Sequence, residues 1–280
     1  MEQNTPTYNI FIDTHNSRFA NQLFPLMCAM SLYGKYKGKF NKPYFKYHSG
    51  IPEYCMNLLK RYFNIVSYDL DEFTNNWKIS KQYGIKDNCV IDNGNVRFIG
   101  YCQDLSLLDE NIVREYIKIP KDIQDTINEL YGDLSDYVCV HVRRGDYLYM
   151  NNPKYYNVLT KEYIERVINK HFPNDKIIVI SDDINWCKEN LSNNPNIIFA
   201  DKDTGDISPV IIDFFIQTLT KGNICSGSSF SMAGVLLNPN PNKICIVSDP
   251  FFKTHNTFPD INIIPTYAIK EPLNIEKGEA

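Results

Sequence analysis

The second half of the chain constrains the fold most. From Lys121 onward, short runs of β-branched residues alternate with amphipathic stretches. "KDIQDTINELYG" (Lys121–Gly132) repeats its apolar residues at helical spacing, and "YVCVHVR" behind it reads as a strand. The order then runs helix "TKEYIERVINKHF", strand "KIIVIS", a helix from "DDINWCKENL", and strand "NIIFAD". Helix "PVIIDFFIQTLTKG", short strand "NICSG", a helix from Ser229 and strand "KICIVSD" complete it. Strands this apolar, each followed by a helix, predict βαβ units around a buried parallel sheet. The region therefore reads as a Rossmann-like domain.

The first half is less regular. "TYNIFID" predicts a strand and Asn21 onward a helix, with Pro25 in its early turns, where proline is best tolerated. Between Asn41 and Asp109 aromatics are frequent and periodicity is weak, with "VRFIGY" the clearest strand candidate. The expectation is α/β with two domains: 1–118 a smaller α/β domain and 119–280 the Rossmann-like one. Two such domains would meet at a cleft, a usual place for a ligand.

Composition narrows the partners. A formal charge of −4 argues against a nucleic-acid-binding or strongly basic membrane-binding surface. An anionic ligand must then be met by a local group of arginines. The eight cysteines are scattered, with no C-x-x-C pair, which disfavours zinc and fits buried reduced thiols. No basic leader with a long apolar run opens the sequence, and no run of apolar residues is long enough to cross a bilayer. The expectation is a soluble cytoplasmic chain, with a setting peripheral to a membrane also open. Nothing in the sequence speaks to its oligomeric state.

In open parallel sheets ligands bind at the carboxyl ends of strands. Three polar groups fall there in the second half. In "HVRRGDY", His141 and Arg143 share one strand face with Cys139, while Arg144, Gly145 and Asp146 form the exit turn. Arginine forks suit phosphate, and Asp146 could hold one in place; an ion pair local to the strand end is the plainer alternative. Asp182 and Asp183 follow the next strand, either as helix caps or as acceptors for a nucleoside's N–H and hydroxyl groups. Ser226, Ser228, Ser229 and Ser231 gather where a strand passes into a helix, which suits a phosphate; capping accounts for one of them. In the first half, "NSRFANQLF" places Arg18 and Asn21 in the loop after the first strand. The "DKD" of Asp201–Asp203 raises a metal-assisted alternative, but with arginines and a serine-rich helix start available a metal is not needed.

Taken in order, these groups resemble the α-1,2-fucosyltransferases of glycosyltransferase family 11, within a wider set of α-1,6- and protein O-fucosyltransferases. The family's "G-x-x-G-N-Q-x-F", "G-Y-x-Q", "H-x-R-R-G-D-Y", "S-D-D-x-x-W-C-K" and "S-S-F-S-W-W-G" correspond here to Ser17–Phe24, Gly100–Gln103, His141–Tyr147, Ser181–Lys188 and Ser228–Gly234. The resemblance implies a GT-B fold, with an acceptor-side N-terminal domain and a C-terminal GDP-sugar-binding domain. It implies inverting transfer of L-fucose from GDP-β-L-fucose to a galactose 2-hydroxyl of a glycan, without metal or other cofactor. Arg143 would hold the donor β-phosphate, with Arg18 and Asn21 near the reacting centre. His141, Arg144 and Asp146 would support that loop, and Asp182 or Asp183 would read guanosine. Ser228, Ser229, Phe230 and Ser231 would cradle the diphosphate. Departures at Ser17, Ala20, Gly227, Met232 and Ala233 bear on the acceptor and the linkage. Another activated sugar, another acceptor hydroxyl, or binding without turnover are the alternatives. For a general base, Asp13, His15 and Asp104 stand in suitable loops and none outranks the others.

Overall fold

The computed structural model describes residues 8–13, 18–46, 53–63, 66–68, 81–82, 89–92, 94–149, 154–253 and 262–273. The chain divides into two compact units that meet in sequence at Ile119 and Pro120, with Ile263 counted in the first. Both are α/β, each built on a six-stranded, mainly parallel sheet of Rossmann-like order.

In the first unit β1 (Ile10–Asp13) lies between β2 (Tyr44–Lys46) and β6 (Asn95–Ile99), parallel to both. The order is β3 (Val66–Tyr68), β2, β1, β6, β5 (Cys89–Asp92), β4 (Lys81–Gln82), the last two antiparallel. Helix α1 (Phe19–Lys35) begins two residues before the sequence suggested, with Arg18 as its N-cap. It buries nearly every residue from Phe19 to Ser31, Pro25 included, and forms the core beneath β1. α2 (Glu53–Phe63) follows β2. Helix α3 (Glu110–Tyr116) was not expected; Asp109 caps it by accepting from Asn111 and Ile112 N–H at 2.9 and 3.2 Å.

The second unit follows the periodicity closely. α4 (Lys121–Tyr131) ends at Gly132, whose φ of 77° is the left-handed geometry glycine tolerates. β7 (Tyr137–Val142), α5 (Lys161–His171), β8 (Lys176–Ser181), α6 (Ile184–Leu191) and β9 (Ile197–Phe199) come next. α7 (Pro209–Leu219), β10 (Gly222–Cys225), α8 (Ser229–Leu237), β11 (Ile244–Asp249) and β12 (Ile269–Pro272) complete it. All strands are parallel, in the order β12-β11-β10-β7-β8-β9. Val138, Val140 and Val142 pack with Ile164, Val167 and Ile168 of α5 on one face. The edge strand β12 had no clear signal, because only one of its four side chains is buried. That side chain is Glu271, which takes Lys170 Nζ at 2.8 Å and His171 Nε2 at 2.6 Å from α5.

The cysteines described (Cys28, Cys102, Cys139, Cys187, Cys225, Cys245) are buried free thiols. No helix among the described residues is long and apolar enough to cross a membrane.

Candidate functional site

Strand order fixes where the second unit can take a ligand. The chain builds outward from β7 through β8 to β9, then returns to lay β10 on the other side of β7. Connections leaving β7 and β10 run in opposite directions, which opens a crevice at their carboxyl ends. Ser226 closes the floor of that crevice. Fully buried, it donates to His141 O at 2.8 Å and accepts from Arg143 N–H at 2.9 Å.

Above that floor stand two arginines and three carboxylates. Arg143 gives Nη2 to Asp146 at 2.6 Å and Nη1 to Asp182 at 2.7 Å, with its side chain 16% exposed. Asp182 also accepts from Arg144 N–H at 2.9 Å. Asp183 accepts from Arg144 Nε at 3.1 Å and caps α6 through Trp186 N–H at 3.3 Å. Trp186 lies under the Arg144 guanidinium, 3.8 Å from ring centroid to carbon. Gly145 makes the arrangement possible. A Cβ there would come within 2.2 Å of Asp182 Oδ2, so the glycine leaves room for a carboxylate. Its backbone is not left-handed, so the glycine is needed for space and not for conformation.

His141 sits behind this cluster, buried, sharing a hydrogen bond between Nδ1 and Ser231 Oγ and facing Phe230 at 5.1 Å. Burial outweighs the nearby Asp182 charge and lowers its pKa to about 4, so the ring is neutral near pH 7. Ser228 caps α8 by accepting from Phe230 N–H at 3.2 Å. The hydroxyls of Ser226, Ser228 and Ser231 therefore have scaffold roles, as do the carboxylates of Asp182 and Asp183. Ser229 and Phe230 stand partly exposed at the start of α8, where a first turn presents backbone N–H groups. Tyr147, also in the motif, is buried, donates to Gly227 O at 2.9 Å and stacks on Tyr156 at 4.2 Å. That locks the loop, and at Gly227 a Cβ would come within 2.4 Å of Phe251 O.

One residue escaped the sequence reading. Asp213 on α7 interrupts the apolar run "PVIIDFFIQ" and has neither a hydrogen bond nor an ion pair among the described residues. Burial raises its carboxyl to about 8. Its sequence neighbour Phe214 meets Phe230, the ring that faces His141, edge-on at 5.5 Å. A single charge inside an apolar helix was the signal available. Trp186 was visible within its motif, but nothing in one dimension paired it with Arg144.

The first unit gathers its own group at the carboxyl ends of β1 and β6. Asn21, in the first turn of α1, accepts from Gln103 Nε2 at 3.0 Å, which joins the "NSRFANQLF" and "GYCQ" segments. Arg18 stands at the N-cap position of the same helix, without a side-chain cap bond, and is exposed. Asp104 is buried, its oxygens taken by Ser106 N–H, Ser106 Oγ and Asn262 Nδ2 at 3.0, 2.8 and 3.0 Å. That makes it a turn cap and removes it from the candidates for a base. Asp13 ends β1, while His15 and Ser17 lie outside the described residues. At the end of β9, Asp201 pairs with Lys188 and Asp203 accepts from Gly205 N–H at 3.0 Å. Among the described residues no group of three His, Cys, Asp or Glu side chains is placed to hold a metal ion.

The sequence that builds this site has counterparts among known proteins. The model of glycosyl transferase family 11 matches residues 98–253, more than half the chain and all of the β7–β11 crevice. The chain belongs to glycosyltransferase family 11. Two Escherichia coli proteins resemble it. The O-antigen biosynthesis glycosyltransferase WbnK is 28% identical over 193 residues, 63% of this chain. An alpha-1,2-colitosyltransferase is 30% identical over 185 residues, 62% of this chain. In each case the family 11 chain described here spans 62% of the relative's length. Among solved structures, fucosyltransferase NodZ from Bradyrhizobium aligns over 83% of this chain and 94% of its own, at 14% identity and a TM-score of 0.49.

Proposed function

We propose that this family 11 chain is an inverting fucosyltransferase. It would transfer L-fucose from GDP-β-L-fucose to a galactose 2-hydroxyl of a glycan, without a metal. The observation that carries the reading is the pair Arg143–Arg144, held by carboxylates at the β7/β10 crevice beside the first turn of α8. A diphosphate there would meet two permanent cations and backbone N–H groups, which supply the positive charge a metal supplies elsewhere. In the reaction the bond from the sugar's anomeric carbon to the β-phosphate oxygen breaks as the acceptor oxygen bonds to that carbon. Negative charge grows on the departing phosphate, where preorganised donors act most strongly. The acceptor proton leaves to a base or to the phosphate oxygen.

For the base of the nucleotide, Asp213 is the better carboxylate. Asp182 and Asp183 are occupied by the arginines, whereas Asp213 has no hydrogen bond or ion pair among the described residues and precedes Phe214, whose ring meets Phe230. Ionised, it would accept from the ring N–H and amine of guanine while Phe230 covers an apolar face. The first unit, with Arg18 and Asn21, is assigned to the acceptor side in a GT-B arrangement, and the setting is the cytoplasm. A second reading is favoured by the colitosyltransferase relative, whose name records a different sugar. There the same nucleotide site would serve another GDP-activated deoxysugar.

The test offers a panel of GDP- and UDP-sugars with galactosides, with and without EDTA, and identifies products by mass. Fucosyl transfer in EDTA supports the first reading, and transfer of another sugar from GDP supports the second. Activity confined to UDP-sugars, or abolished by EDTA, refutes both.

A further inference from the structure

The adjacent arginines are held in different ways. Both terminal amino groups of Arg143 lie on carboxylates, Nη1 on Asp182 and Nη2 on Asp146. Arg144 has one such partner, and it engages the inner Nε of the guanidinium: Asp183 Oδ2 at 3.1 Å. Its terminal amino groups donate no hydrogen bond within the described residues, although the side chain is only 14% exposed. A guanidinium cannot shed its charge, and donors left unpaired on a largely desolvated side chain are costly. Such an arginine is built to receive an anion.

The ring of Trp186 supplies the remaining restraint. With the guanidinium carbon 3.8 Å from its centroid, the indole holds the plane by a cation–π contact. Asp183 and Trp186 are linked by the cap of α6, since the same carboxylate accepts from Trp186 N–H. One turn of backbone thus sets the face and the inner edge of Arg144 and leaves its two terminal amino groups as the unengaged edge.

We propose that Trp186 is a positioning residue acting through Arg144, fixing that edge for a two-point hydrogen bond to a phosphate of the nucleotide diphosphate. The inference rests on the nucleotide-sugar reading and deepens it. Arg143 brings charge already shared with two carboxylates, and Arg144 brings donors in a fixed plane that are unengaged among the described residues.

Calorimetric affinities for GDP and for guanosine test this in the wild-type chain and its variants. Trp186→Leu is expected to weaken GDP about tenfold, the scale of a desolvated cation–π contact, and to leave guanosine unchanged. Trp186→Phe, which keeps an aromatic face, restores most of the loss. In an Arg144→Ala background Trp186→Leu adds nothing, because the two act through one contact. If Trp186→Leu does not fold, Arg144→Lys carries the test, since an ammonium keeps the charge and loses the planar edge. It too should weaken GDP and spare guanosine. Equal losses for GDP and guanosine, or a Trp186→Leu penalty that persists without Arg144, overturn the positioning role. So does a GDP affinity left unchanged by these variants. A wild-type chain that binds guanosine and GDP equally, or neither, overturns the diphosphate reading itself.

Discussion

Replacing Arg143 by alanine separates what the residue does for folding from what it does for the reaction. Its guanidinium bridges Asp146 and Asp182, whose side chains are 35% and 25% exposed. Both carboxylates can return to water, and Asp182 keeps its bond from Arg144 N–H. Losing two partly solvated pairs should cost about 1 kcal/mol of stability, a fall of roughly 2–4 °C in Tm for a chain of this size. The effect on turnover should be much larger. A preorganised donor aimed at charge that appears in the transition state contributes about 3 kcal/mol, a hundredfold or more in rate. Initial rates of product formation, measured beside a thermal melt of the same preparation, give both quantities. Arg143→Lys should recover only part of the rate, because one ammonium cannot reproduce the planar bridge. Near-normal turnover in a folded Arg143→Ala variant would falsify the catalytic assignment.

Three further outcomes are expected. Gly145→Ala should push Asp182 away from Arg143 and lower turnover about tenfold, with under about 1 kcal/mol of stability lost; unchanged kinetics would show that Asp182 has no part in holding Arg143. His141, its pKa lowered to about 4 by burial, contributes stability that is present above about pH 6.5 and lost as the pH falls towards 4, because the unfolded chain takes the proton first. Denaturant unfolding at several pH values should show a loss on the order of 3 kcal/mol across that window, and His141→Asn should flatten it. Asp213→Asn should weaken guanosine about tenfold, the scale of a lost charged hydrogen bond. The same variant should gain on the order of 2 kcal/mol of stability at pH 8, with partial solvent contact limiting the gain. Tighter guanosine binding in that variant would remove Asp213 from the site.

The second unit was legible because its central strands are buried on both faces and helices such as α4 and α5 on one. "YVCVHVR", "KIIVIS" and "KICIVSD" each became the expected strand, and a glycine or an Asp, Ser or Thr cap marked several helix ends. The first unit was harder to read. β2 and β3 are three residues each and β4 two, too short to show a period, and α3 depends on a single cap at Asp109. Within the site, Asp182 and Asp183 could each be a cap or a ligand group from their position alone. Which one applies depends on the arginines, supplied by a different strand.

The amino-acid sequence by itself determined the α/β class, the helix–strand order of the second unit and the residue types gathered at its strand ends. These follow from local period and from the chemistry of guanidinium, carboxylate and hydroxyl groups, which a one-dimensional string records. The tertiary structure decided how those groups share the work. It joined β7 to β10 through Ser226, gave Asp182 to Arg143, laid Arg144 on Trp186 and left Asp213 without an ion pair among the described residues. Such pairings depend on which strands become neighbours, and that is settled by burial across the whole sheet, beyond the reach of any one segment.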